Sequence, residues 1–195
     1  GSVRFDQYNF LIGSTSNMAI KKFLYTLDDA QYLTAKTDLF LGTQGNSVIL
    51  KSVNPDEIVD TDNMVAEIQN AFGSANVQPV IANDALVYLQ RNKLKLRELV
   101  YNRDSNVFVG NDLNLISDDI LNSNVTQLFV QKNPNQIIWC IKTDGSACIL
   151  TYDRQTKLQG WARLNTTGTI FSGNVLPEVG EDAVWLCVNR GTTSS

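Results

Sequence analysis

The chain contains no histidine. That absence removes the Ser-His-Asp and Cys-His nucleophile arrangements and every His-ligated metal site. Cysteine occurs three times, at Cys140, Cys148 and Cys187, too few and too irregularly spaced for a disulfide framework or for a zinc site of their own. All three sit among strand-type neighbours, where a free thiol acts as a small buried hydrophobe. No apolar run approaches the roughly 18 residues needed to cross a bilayer, and the start "GSVRFDQYNF" lacks the basic-then-apolar pattern of a signal peptide, so no membrane segment is expected. Sixteen Lys and Arg stand against 20 Asp and Glu, and the pI is near 4.8. Lys21-Lys22 and the Arg91 to Arg97 stretch do not cluster but alternate with other residues. This excludes wrapping by nucleic acid, because phosphate binding needs grouped cations to release counterions.

With 43% hydrophobic and 18% charged residues, the chain reads as one globular unit over residues 1–195 with a well-buried core. Four segments share one shape, an apolar strand followed by a polar turn: "DLFLGTQGNSVIL" (38–50), "ALVYLQRNKLKLRELVY" (85–101), "IIWCIKTDGSACILTY" (137–152) and "AVWLCVNRG" (183–191). In the first three a second strand follows at once, which reads as a hairpin. Gly45, Asn92, Gly145 and Gly191 mark the turns at separations of 47, 53 and 46 residues, a spacing that fits propeller blades rather than βαβ units. Ile137 to Ile141 leave no polar face, as a strand covered on both sides by neighbouring sheets requires. The expected fold is therefore all-β: a β-propeller-like array of antiparallel hairpin blades, with few short helical turns, one of them beginning at Ile116 in "ISDDILNSN" with Ser117 as its N-cap. A closed propeller needs at least four complete blades. The fourth unit reaches only its first strand, so the expectation is an incomplete propeller or a segment of a larger one. Were Asp144-Gly145 a two-residue turn, Cys140 would pair with Ile149 and Cys148 with Ile141, on opposite faces; a three-residue loop would shift that register.

The chemistry-bearing motifs are sparse. "GSTSNMAIKK", from Gly13, lacks the second Gly before Lys-Ser/Thr that a phosphate loop needs. "NRDSN" (102–106) alternates oxygen ligands like a calcium loop, but Val107 occupies the turn position and no Glu follows at the required distance. Asp60 and Asp62 lack further ligands at Met64 and Val65. The adjacent pairs Asp28-Asp29 and Asp118-Asp119 diverge on either a strand or a helix, and none of the five glutamates stands in a strongly apolar setting that would raise its pKa for general-acid work. A glycosidase would need two acids about 5 to 10 Å apart across a cleft. Trp139, Trp161 and Trp185 read as core residues of the strands rather than as a sugar-stacking surface. The expectation is no enzyme, no cofactor and no metal, with no catalytic, cofactor-binding or metal-ligating residue assigned.

"AFGSANVQPV" (71–80), then "ALVYLQRNKLKLRELVYN", "DLNLIS" and "IIWCIKTDGSACILTYDRQTKLQGWARL" resemble, in order and spacing, a bacteriophage tail-protein family. Its pattern is a Gly-Ser-Ala-Asn-Val-Gln-Pro unit, a "VQR-x-x-x-x-x-RE" strand pair, a short "DLT-x-L" segment and a Trp-centred hairpin ending in "TYDR", "GW" and a basic residue. The likeness covers roughly residues 70 to 164; residues 1 to 50 are similar only through "DLFLGTQGNSVIL". Two departures stand out: Asn92-Lys93 replaces a glycine-rich turn, and Ala162-Arg163 follows "GW" where the family often has His.

The resemblance implies a β-propeller tail nozzle, or tail tubular, protein of a short-tailed phage virion, made in the bacterial host cytoplasm. Such a protein self-associates in a ring, sits beneath the portal and adaptor, carries tail fibres or spikes, and meets the exiting DNA only transiently. The alternative is a host-surface-binding tail module recognising a glycan or protein receptor. In "AFGSANVQPV", Gly73 and Pro79 are expected to bracket a connection between blades, with the amides of Asn76 and Gln78 satisfying turn backbone.

Overall fold

The apolar runs and polar turns become fourteen strands in a computed structural model of the chain, which describes residues 12, 21, 23–24, 28–54, 56–57, 59–60, 62–104, 107–156 and 158–191. The first sheet holds β1 (Ala30–Ala35), β2 (Leu39–Thr43), β3 (Ser47–Ser52) and β4 (Met64–Asn70). The second holds β5 (Val80–Ala82), β6 (Ala85–Leu89), β7 (Leu96–Asn102) and β8 (Val107–Asp112). The third holds β9 (Val125–Gln131), β10 (Ile137–Lys142), β11 (Ala147–Asp153) and β12 (Leu158–Leu164), and the fourth β13 (Thr169–Pro177) and β14 (Asp182–Asn189). Every pairing is antiparallel and strand order follows chain order, so each sheet is a meander; none closes into a barrel. Pro79 directly precedes β5, where its missing donor costs no ladder bond.

The segments 38–50, 85–101 and 137–152 carry the central strand pairs β2–β3, β6–β7 and β10–β11. Segment 183–191 falls on β14, which is the second strand of its sheet, not the first, because β13 precedes it. That strand is hard to read in sequence: Ser172, Gly173 and Asn174 interrupt its apolar pattern, and a bulge lies between Ile170 and Ser172. The helical turn expected from Ile116 is also absent. Among the described residues no helix forms, and the segment makes a single turn closed by Ile120 N donating to Ser117 O at 3.1 Å. So short a stretch cannot repay helix nucleation, whereas turning back once buries Ile120 and Leu121.

Successive sheets stack face to face. On β6, Leu86 and Tyr88 turn toward the first sheet and pack with Tyr32, Phe40 and Ile49. The alternate residues Ala85, Val87 and Leu89 turn toward the third sheet and meet Ile138, Cys140 and Leu150. On β10 the same alternation sends Ile141 and Trp139 to the fourth sheet, against Ile170, Val184 and Leu186. Period-two geometry explains why these strands are apolar without interruption: both faces are inside. Each fully buried Leu, Ile or Val contributes about 1.5–3 kcal/mol relative to exposure.

A backbone device repeats between sheets. The carbonyl of Thr43, at the turn after β2, accepts from Ser74 N at 2.8 Å; Lys93 O, at the turn after β6, accepts from Val125 N at 3.2 Å; Gly145 O, at the turn after β10, accepts from Ile170 N at 2.9 Å. Each hairpin tip is thereby tied to the chain entering the next sheet.

The hairpin register overturns the expected cysteine arrangement. Its loop has three residues, Thr143 to Gly145, closed by Lys142 N to Ser146 O at 3.0 Å, with Gly145 at φ 79°. The extra residue puts Cys140 directly opposite Cys148 on the same face. Both thiols are free and buried, but Cys187 is exposed, contrary to the expectation for all three. It lies on β14 with Trp185, on the face opposite Val184, Leu186 and Val188, which pack inward.

Candidate functional site

The strand β7 carries "RE" within an apolar run, and strand alternation sends the two side chains to opposite faces. The guanidinium of Arg97 lies over the ring of Phe72, 3.6 Å from its centroid, donates through Nε to Gln90 Oε1 at 2.7 Å, and reaches Gly110 O at 3.2 Å. Phe72 belongs to "AFGSANVQPV", so this contact faces the first sheet. Glu98 turns the other way and is buried. Its Oε1 accepts from Asn111 Nδ2 on β8 at 2.7 Å, its Oε2 accepts from the hydroxyl of Tyr152 on β11, and Arg154 Nε stands 3.5 Å from Oε2. Arg154 also pairs through Nη1 with Asp84 Oδ1, at 2.5 Å, in the β5–β6 turn. Glu98, Tyr152 and Arg154 line an open pocket of about 190 Å³ together with Leu113, Asp153, Leu158 and Gln159.

The electrostatics follow from burial and charge. Burial pushes the Tyr152 phenol well above its ordinary value, and the adjacent Glu98 carboxylate adds to the shift, so the hydroxyl stays a donor. The Arg154 guanidinium holds the Asp84 carboxyl below the usual carboxylate range, and Asp84 in turn raises Arg154. Such an arrangement joins sheets. Its Asp84 acid is shifted in the direction opposite to that of a general acid.

Between the first and second sheets, "AFGSANVQPV" is threaded through the backbone of both. Ser74 N donates to Thr43 O at 2.8 Å and Ala75 N to Leu89 O at 2.9 Å, and Ser74, Ala75 and Val77 are buried. Gly73 sits at φ 71°, and a Cβ there would lie 2.0 Å from Gln44 O, so only glycine fits. Asn76 and Gln78, expected to satisfy turn backbone, are exposed instead; neighbouring backbone does that work, since strand-like alternation turns their side chains outward.

The remaining candidates are dispersed. Asp118 pairs with Lys95, just before β7, and Asp119 with Arg163 on β12 at 2.6 Å. Asp60 Oδ1 accepts from Asp62 N and Asn63 N, both at 2.9 Å, which makes a turn. Asp28 Oδ2 accepts from Asn46 Nδ2 at 3.1 Å. In "NRDSN", Asn102 Oδ1 accepts from Asp104 N at 2.9 Å, while Ser105 and Asn106 lie outside the described residues, as does "GSTSNMAIKK" apart from Lys21. Among the described residues, no three Cys, Asp or Glu side chains converge to hold a metal ion. Trp139 stacks on Phe129 at 5.7 Å and Trp161 donates to Leu113 O at 2.9 Å, both half-buried. Trp185, expected in the core, is 62% exposed.

The expectation that no glutamate stands in an apolar setting fails at Glu98, which lies in the run "LRELVY" and is buried, because its partners arrive from the "TYDR" that ends the Trp hairpin. A comparison with protein-family models and with curated proteins finds no match for this chain.

Proposed function

We propose that this chain forms part of the tail of a short-tailed bacteriophage, in the nozzle or tail-tube wall through which DNA is ejected. Its four meanders are then blades of a β-propeller. The observation that carries the reading is the meeting of the motifs behind the resemblance: Phe72 of "AFGSANVQPV" stacks on Arg97 of "RE", and the adjacent Glu98 binds Tyr152 and lies beside Arg154 of "TYDR". Residues of three separated motifs form the joints that hold successive sheets, as expected of a family defined by its blade packing rather than by a catalytic centre. Two further features support it. Face-to-face meanders fit the stacking of neighbouring blades, and a net charge of -4 keeps a wall from holding phosphate tightly. The protein assembles and turns nothing over. Its partners are further copies of itself in a ring, the adaptor and portal above, and fibres or spikes around it, and it resides in the virion.

The test is electron-microscope class averaging of the protein expressed from its complete reading frame. The expected result is a ring with an open central channel. Particles without rotational symmetry would overturn the proposal.

A further inference from the structure

We propose that the crevice between the first two sheets binds a neutral saccharide. The crevice measures about 680 Å³, within the range of small-molecule sites. A row of three rings runs from the core into it. Phe40 is buried; Phe108 meets it edge-on with centroids 5.1 Å apart; Tyr101 follows at 5.2 Å and is 45% exposed. The row is held from both sheets, because Phe108 N on β8 donates to Gln69 Oε1 on β4 at 2.9 Å. An aromatic lining beside polar groups suits a sugar ring, whose C–H bonds lie against a π face while its hydroxyls reach the surrounding donors and acceptors.

The charges choose among ligand classes. Lys36 and Lys51 line the crevice against Asp38, Glu57 and Glu67, and Lys51 is already paired with Glu67 at 2.8 Å. An anionic ligand would meet an excess of carboxylates. An apolar one would desolvate charges without replacing their hydrogen bonds. A neutral polyhydroxylated ligand satisfies both signs. The inference stands independently of the tail-wall proposal, since it depends only on the crevice.

The experiment is an NMR titration of the isotopically labelled chain with neutral hexasaccharides of glucose, galactose, mannose and N-acetylglucosamine, with a sulfated hexasaccharide as the charged counterpart. At least one neutral sugar should shift the amides of Gln69, Tyr101 and Phe108, with a Kd of about 0.1 to 10 mM, weak as expected for a shallow site. Tyr101→Leu keeps apolar bulk against Phe108 but removes the π face; it should weaken binding at least about tenfold, while Tyr101→Phe stays within about threefold. No shift from any neutral sugar, binding undiminished in folded Tyr101→Leu, or preference for the sulfated sugar would each overturn the inference.

Discussion

Replacing Tyr152 with Phe removes one oxygen from the joint between the second and third sheets and leaves the ring in place, so the effect isolates a hydrogen bond rather than a cavity. Glu98 Oε2 would then retain only Arg154 Nε, at 3.5 Å, beyond good hydrogen-bond length, while Oε1 keeps Asn111 at 2.7 Å. A hydrogen bond to a charged group contributes about 1.5–3 kcal/mol, and Glu98 is buried, which places the expected loss near 2 kcal/mol. For a chain of this size that lowers Tm by about 4–8 °C. Urea unfolding at pH 7 should show a lower midpoint with an unchanged m value. In a Glu98→Gln background the same substitution should cost less by about 1 kcal/mol, since the charge that strengthens the bond is gone. A Tyr152→Phe protein within about 0.5 kcal/mol of the parent, a size typical of neutral surface changes, would show that Glu98 does not depend on the phenol, and the joint would have to be redrawn.

Alkaline pH should destabilise the fold. Burial raises the phenols of Tyr32, Tyr88 and Tyr152 above their ordinary value near 10, so above pH 10 the unfolded chain releases protons that the folded chain keeps. The tyrosines' contribution is therefore complete below about pH 10 and falls by about 1.4 kcal/mol per pH unit for each of them above it; urea midpoints between pH 8 and 11 test this, and a flat profile would contradict it. With an aromatic disulfide reagent, Cys187 should react at once in the native protein while Cys140 and Cys148 react only on unfolding, giving one fast thiol of three. Gly73→Ala should cost at least about 3 kcal/mol, because a positive φ costs about 1–2 kcal/mol and the new Cβ strikes Gln44 O. Gly180→Ala, at φ 93° with nothing within 4 Å of its Cβ, should show the strain alone, which denaturation of the two variants will separate.

The central strands were legible because burial on both faces leaves a mark that periodicity alone can read: the unbroken apolar runs of β6 and β10 have no other use. What stayed hidden depended on a one-residue choice or on a partner far away in sequence. Asp144-Gly145 fits a two-residue and a three-residue loop equally well by composition, and the choice decides whether Cys140 faces Cys148. Trp185 and Cys187 have the composition of core residues, but their exposure depends on what lies beside β14, which local sequence does not encode. Glu98 illustrates the same limit from the opposite side. A charged residue in an apolar strand is a visible anomaly, but its partners Tyr152 and Arg154 come from another sheet, and only the stacking order brings them into reach.

That joint occupies the interface where the backbone tie is longest. Of the three tips, Lys93 is the non-glycine in a left-handed conformation, at φ 59°, and its carbonyl makes the 3.2 Å bond, against 2.8 Å from Thr43 and 2.9 Å from Gly145. A bulky residue there costs about 1–2 kcal/mol, and glycine would relieve the strain while losing about 0.5–1 kcal/mol through the freedom it adds to the unfolded chain. Lys93→Gly is therefore expected to stabilise the protein by about 0.5 kcal/mol in urea unfolding, a direction opposite to most glycine substitutions. The Glu98 joint then has a physical reason for its position: it reinforces, with a buried charge-assisted contact, the interface whose turn residue is strained. If Lys93→Gly instead destabilises by more than about 1 kcal/mol, more than the entropic term allows, the turn is not strained and that reason falls.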